Sequence, residues 1–189
     1  MDDILLVDQD NNPIGSGEKM DVHRRGILHR CFSILIYNSK KEMLLQKRAA
    51  SKYHCPGFWS NACCSHPRPG DHLLAAARRR LKEEMGIDIP LKEAGVEFIY
   101  RARVGDLIEY EYDHLLYGFF DGSPVANPNE ADDWKWMLFA DLREDMKQNP
   151  GSYTPWFRLI VSQGDNEVEQ IPVAGLEKYE IKKLANCLN

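Results

Sequence analysis

The densest concentration of reactive side chains is Asn61-Ala62-Cys63-Cys64-Ser65-His66-Pro67, which follows Pro56-Gly57-Phe58-Trp59 and leads into a helical pattern from Asp71. It puts thiols, a hydroxyl and an imidazole into a strand-to-helix loop, the sort of place where positioned side chains meet a substrate. A cysteine near a helix N-terminus has its thiolate favoured by the dipole, and such a group can donate or accept a proton. Free cysteine is also among the most buried residue types, so a packing role for Cys63 and Cys64 weighs evenly against chemistry on spacing alone.

A second constellation is Glu109-Tyr110-Glu111-Tyr112-Asp113. On a strand, its period of two puts Glu109, Glu111 and Asp113 on one face and the tyrosines on the other. Adjacent carboxylates repel, so they face water, share a proton or are held by a cation. Water is the commoner explanation for a strand taken alone. His23, His29 and His66 change that balance: with Glu109 and Glu111 they make a mixed imidazole and carboxylate shell suited to Zn²⁺ or Mn²⁺. No local spacing joins these five residues. The third constellation is Arg79, Arg80, Glu83 and Glu84, paired at i,i+4, for which surface ion pairs worth about 0.3–0.5 kcal/mol each are the simplest account.

The elements that must position these groups are mostly strands. Extended segments are expected at Ile4 to Val7 and around Ile14, joined by the turn cluster Asp10 to Pro13. Others follow at Arg30 to Tyr37, Glu42 to Lys47, Val96 to Arg103, Leu107 to Phe120 and Trp134 to Leu138. Asp71 to Met85 holds Leu74, Ala77, Leu81 and Met85 at helical spacing and stops at Gly86, which suits the residue just past a helix end. Further helices are expected at Phe139 to Met146, Pro155 to Val161 and Gly175 to Leu188. This order predicts an α+β fold with the sheet between helices.

The 189 residues suit one domain, 1–189, with no repeat or linker dividing them. With 24 Lys and Arg against 29 Asp and Glu, net charge −5, no global basic field draws the chain to nucleic acid or anionic membranes. A local basic pocket for a small polyanion stays open. The absence of a long apolar run and the acidic start Met1-Asp2-Asp3 point to a cytoplasmic protein. Five cysteines, at 31, 55, 63, 64 and 187, form neither a disulfide framework nor a zinc clip, and are expected as free thiols.

From Ser65 to Ile87 the residues Ser65, Asp71, Arg79, Arg80, Leu81, Glu83, Glu84, Gly86 and Ile87 fall on the pattern G-x5-E-x7-R-E-U-x-E-E-x-G-U, with U a bulky aliphatic. This resembles a degenerate Nudix box, with Ser65, Asp71 and Arg80 as the departures. Coupled to the Asn61–Pro67 loop and Glu109-Tyr110-Glu111, the chain resembles the type I isopentenyl-diphosphate isomerase family. The likeness runs from Glu18-Lys19 through Gly26-Ile27-Leu28-His29-Arg30 and Gln46-Lys47-Arg48-Ala49 to Tyr100-Arg101-Ala102 and Pro155-Trp156.

The resemblance implies a Nudix-type α/β/α sandwich with a mixed central sheet and additional C-terminal helices. It implies an enzyme that interconverts isopentenyl and dimethylallyl diphosphate in isoprenoid biosynthesis. The same resemblance assigns a divalent metal (Zn, Mn or Mg) to His23, His29, His66, Glu109 and Glu111, and catalysis to Cys64 and Glu111; for that chemistry Tyr100 would hydrogen-bond within the site and the Trp156 indole face would stabilise a carbocation. Lys19, Arg48, Lys52, Ser65 and Arg80 would bind the diphosphate, and Glu84 would help hold a Mg²⁺ bound with it. The alternatives are a Nudix diphosphohydrolase, against which Arg80 stands in place of a carboxylate, and an inactive Nudix module that binds a metabolite. Oligomeric state is left open.

Overall fold

The computed structural model describes residues 3–163 and 176–184. The chain opens with a hairpin of β1 (Asp3–Val7) and β2 (Pro13–Glu18), turned where Asp8 Oδ1 accepts the N–H groups of Asp10 and Asn12. Helix α1 (Lys19–Arg25) follows directly, its first turn capped by the Glu18 carboxylate, which accepts from the N–H groups of Met20 and Asp21. Gly26 ends it in the left-handed conformation, φ 60°, where a Cβ would stand 2.9 Å from the Ile108 side chain. A turn this tight needs glycine, and it carries the chain from His23 to His29 within six residues.

Strand β3 (His29–Tyr37) is the axis of the sheet. Strand β8 (Leu107–Phe119) runs parallel beside it, pairing His29 with Glu111 and Cys31 with Asp113. The antiparallel β6 (Cys63–Ser65) pairs Ser33 with Cys64. Strand β4 (Glu42–Arg48) pairs with β3, with β5 (Trp59–Asn61) and with β9 (Ala131–Leu138). Strand β7 (Lys92–Val104) completes a long hairpin with β8.

Alternation along β3 feeds both faces of this mixed sheet. Ile34 and Ile36 pack with Ala76, Ala77, Leu81 and Met85 of α2 (Leu73–Met85). Leu35 joins the opposite cluster with Leu142 and Met146 of α3 (Phe139–Gln148) and Trp156, Phe157 and Ile160 of α4 (Pro155–Gln163). Helices therefore cover both faces, as the α+β sandwich expectation requires. Leu81 and Met85 are fully buried, which stabilises the α2 packing by roughly 2–3 kcal/mol each.

Three local expectations need correction. Residues Gly175 to Leu188 were expected to be helical; within the described residues they contain instead β10 (Leu176–Leu184), antiparallel to β7. The segment's Glu and Lys residues favour helix, but the open edge of β7 offers a row of backbone partners that outweighs so weak a preference. Among the described residues the additional C-terminal elements thus include the strand β10 beside the helices α3 and α4. The Asn61–Pro67 segment is not all loop but holds the last residue of β5 and the whole of β6, strands too short to show a period. The α2 helix starts at Leu73 rather than Asp71; the Asp71 carboxylate accepts from the Arg68 N–H and, at 2.7 Å, from Arg79. The Arg-rich stretch between His23 and His29 is the end of α1 and its glycine turn.

Candidate active site and metal centre

Three imidazoles converge on the buried carboxylate face of β8. His23 comes from α1, His29 from the start of β3 and His66 from just past β6. His23 Nδ1 and His29 Nδ1 lie 2.7 and 2.8 Å from the carbonyl oxygens of Lys19 and Ile27, so both carry the proton on Nδ1 and leave Nε2 as a lone pair. His29 Nε2 is 3.2 Å from His66 Nε2, and His66 Nε2 is 2.9 Å from Glu111 Oε1. One ligand atom from each of His23, His29, His66 and Glu111 lies within 4.8 Å of the others. Glu109 joins at the side, with Oε2 3.3 Å from His23 Nε2.

The donor set fits a divalent cation. His23 Nε2 and Glu109 Oε1 are buried without a hydrogen-bond partner, although buried polar atoms are normally satisfied. Burial and the neighbouring Glu111 push the Glu109 carboxyl up, the repulsion expected of two carboxylates in one site. Burial also opposes the charge on Glu111, but the imidazoles of His29 and His66 beside it, with His66 Nε2 2.9 Å away, outweigh it and hold that carboxyl well below its usual range. Burial pushes His66 down to about 3, keeping the imidazole neutral as a metal ligand must be. A cation here would satisfy the orphaned nitrogen and relieve the carboxylate pair.

Glu111 turns its other oxygen to different partners. Oε2 accepts from the Tyr100 hydroxyl at 2.5 Å and from the Cys31 thiol at 3.1 Å. Asp113, fully buried, is pushed up to about 8 by burial and by Glu111, so it is largely neutral at pH 7. Cys31, Glu111 and Asp113 also cluster within 4.8 Å. Burial holds the Cys31 thiol well above its ordinary value and Asp113 keeps its proton, so this second group lacks the deprotonated ligands a metal needs.

Cys64 faces the same cavity from the other side of β3, where burial and then Asp113 push its thiol above the ordinary range. The expectation of a dipole-favoured thiolate therefore fails: Cys64 lies in β6, nine residues before the helix begins, beyond the reach of its dipole. Cys63 points the opposite way and is fully buried against α2. Cys31, Cys55, Cys63 and Cys64 are free thiols, while Cys187 lies outside the described residues.

A cationic rim surrounds the cavity. Lys19, Arg48, Lys52 and Arg80 line it together with Ser65, Cys64, Glu84, Glu109, Glu111 and Trp156. Arg80 bonds Glu84 at 2.7 Å and Glu130 at 3.0 Å, and Lys52 also pairs with Glu130. The Arg48 guanidinium donates to the His54 carbonyl and sits 5.4 Å from the centre of the Trp156 ring. Glu84 stands with Arg80 and Gln46, apart from the imidazole cluster. Arg79 leans towards Asp71, 3.9 Å from Glu83, so the two expected i,i+4 pairs are unequal.

The sequence reading missed several members. His54 Nε2 lies 3.2 Å from Glu109 Oε1, and burial, Arg48 and Lys19 push it down to about 2. Glu130, Cys31 and Ser33 also had no assigned role. Nothing in their local spacing marks them, since each is recruited by a partner more than thirty residues away in sequence.

A NUDIX domain model matches residues 27–157. The isopentenyl-diphosphate Delta-isomerase 2 of Aromatoleum aromaticum is 51% identical over 86% of this chain and 86% of its own length. That of Photorhabdus laumondii is 52% identical over 86% and 92%, and the Serratia proteamaculans isopentenyl-diphosphate Delta-isomerase is 50% identical over 90% and 96%. The chain belongs to the isopentenyl-diphosphate Delta-isomerase family, within the NUDIX fold. A Deinococcus radiodurans protein, DR0079, superposes with TM-score 0.69 over 84% of this chain and 97% of its own at 14% identity, which speaks to fold alone.

Proposed function

We propose that this chain interconverts isopentenyl diphosphate and dimethylallyl diphosphate, as one domain over residues 1–189. The observation that carries the reading is a thiol, Cys64, and a carboxylate, Glu111, facing one cavity whose rim holds four cations. Moving the double bond requires a proton added at the terminal alkene carbon and another removed two carbons away, through a state with tertiary carbocation character. One group must give a proton and another take one. Cys64 and Glu111 serve as that pair, and Tyr100 holds Glu111 by its short hydrogen bond. Lys19, Arg48, Lys52, Ser65 and Arg80 bind the diphosphate, which screens its charge and fixes the alkene in the cavity. The Trp156 face supplies electron density to a cation without a nucleophile, worth about 0.5–2 kcal/mol.

A divalent metal (Zn, Mn or Mg), held by His23, His29, His66, Glu109 and Glu111, supplies a fixed positive charge that orients Glu111 and tunes its basicity. Glu84 assists a Mg²⁺ carried by the diphosphate. The substrate is a small isoprenoid diphosphate, with no role for nucleic acid or membrane, and among the described residues no helix is long and apolar enough to cross a bilayer. Arg80, tied to Glu84 and Glu130, stands where a diphosphohydrolase has a carboxylate. Incubation with isopentenyl diphosphate and Mg²⁺ in D₂O, followed by NMR, should give deuterated dimethylallyl diphosphate without phosphate. Steady phosphate release with no allylic product would overturn the reading.

A further inference from the structure

A continuous run of hydrogen bonds joins the Cys64 thiol to the Trp156 indole. Cys64 Sγ lies 3.0 Å from Asn61 Oδ1, and Ser60 Oγ donates to the same oxygen at 3.1 Å. Trp156 Nε1–H donates to Ser60 Oγ at 3.0 Å, and Thr154 Oγ1 lies 3.0 Å from that hydroxyl. The polarity of the run is set by its anchor. Asn61 Nδ2 reaches the backbone oxygens of Cys63 at 2.9 Å and Ile34 at 3.2 Å. The reversed amide would set its oxygen against two carbonyl oxygens, so Oδ1 must face Cys64 and Ser60.

With its proton committed to Asn61, Ser60 accepts from both Trp156 and Thr154. Ser60, Asn61 and Thr154 are each no more than 1% exposed. A buried polar run this fully satisfied is rigid, and loss of any member strands the others. The Thr154 N–H also bonds the Trp59 carbonyl at 3.0 Å, which ties the start of α4 to β5. Beyond the sulfur the run continues through Ser33 Oγ, 3.3 Å from Cys64 Sγ, to Asp113, so it ties two cavity-lining groups, one in β6 and one in α4, to the buried carboxylate face of β8.

We propose that Asn61 and Ser60 are positioning residues that hold the Cys64 sulfur and the Trp156 ring in one fixed arrangement around the substrate's carbon skeleton. The inference rests on the isomerase reading for its functional consequence, and on the hydrogen-bond run for its geometry. It predicts effects on turnover rather than on substrate capture, because neither residue reaches the cationic rim.

The variants are Asn61→Leu, Ser60→Ala and Ser60→Thr, the last retaining the hydroxyl. In the metal-loaded enzyme, Asn61→Leu should lower kcat at least about tenfold and Ser60→Ala about threefold or more, with KM within about twofold; Ser60→Thr should recover most of the Ser60→Ala loss. In parallel, alkylation of Cys64 by iodoacetamide, read by peptide mass, should quicken at least about threefold in Asn61→Leu and Ser60→Ala, since a sulfur held by Ser33 alone, or by an Asn61 that has lost its Ser60 anchor, is looser and reaches the cavity mouth more often. A wild-type kcat in every variant, equal changes in kcat and KM, or unaltered alkylation would overturn the proposal. Should Asn61→Leu fail to fold, the alanine and threonine variants of Ser60 decide the same question. If the wild type does not isomerise, the functional reading fails, and alkylation still decides whether the run holds the thiol.

Discussion

Asp113→Asn perturbs the electrostatics of the site at one buried atom. The Asp113 carboxyl is pushed from 3.8 to about 8 by burial and by Glu111, with the Ser33 hydroxyl donating to it at 2.7 Å in partial opposition. The sign follows from proton binding in the two states. Below pH 3.8 both folded and unfolded chains carry the proton and Asp113 has no linked effect. As pH rises towards 8, the unfolded chain ionises while the folded one does not, so stability falls across that window. The shift of about four units sets a ceiling near 5 kcal/mol at pH 8 and about 2 kcal/mol at pH 5, a difference of roughly 3 kcal/mol. Asparagine removes the ionisation and keeps an oxygen for Ser33. Thermal melts in excess chelator, which removes any cation that would offset Glu111, should therefore show Asp113→Asn gaining at least about 5 °C more at pH 8 than at pH 5, at roughly 2–4 °C per kcal/mol. A variant destabilised equally at both pH values would refute the reasoning, because it would mean that Asp113 is an ionised and well-paired carboxylate in the fold.

Cys64→Ala and Glu111→Gln should each lower turnover at least about a hundredfold, the lower end for positioned acid–base groups, whereas Cys63→Ala, packed against α2 and away from the cavity, should cost stability but little activity. Similar kinetic losses at both cysteines would remove Cys64 from its assigned role. Chelation should abolish activity, and metal affinity measured calorimetrically at pH 6, 7 and 8 should fall with pH. Although burial opposes it, the Glu109 carboxylate 3.3 Å away and the nearby Glu111 raise the His23 pKa, so protons compete for that ligand above the ordinary histidine value; a flat profile would contradict this. Trp156→Phe should retain clearly more turnover than Trp156→Leu, because a ring face remains, even though Phe loses the N–H bond to Ser60. Equal losses, or losses that track melting temperature, would make Trp156 a packing residue only.

Local periodicity made a good part of this protein legible. Leu74, Ala77, Leu81 and Met85 with the stop at Gly86 define α2, and its arginine and glutamate ladder then follows, because i,i+4 neighbours are set by the helix itself. Alternation along β8 likewise puts Glu109, Glu111 and Asp113 on one face whatever covers it. The opening hairpin needs only its turn residues. The resemblance carried over His23, His29 and His66, which spacing could not join to the glutamates. Only the tertiary structure turns the carboxylate face inward, by laying β3 parallel to β8 with His29 opposite Glu111 and Cys31 opposite Asp113. It also converts the supposed thiol loop into β5 and β6, draws residues 176–184 onto the edge of β7, and brings Glu130 to Lys52 and Arg80. A residue period says which side chains share a face; the neighbour that covers the face is chosen by long-range pairing and burial, so the pKa of Asp113 and the hold of Asn61 on Cys64 exist only once the sheet has closed.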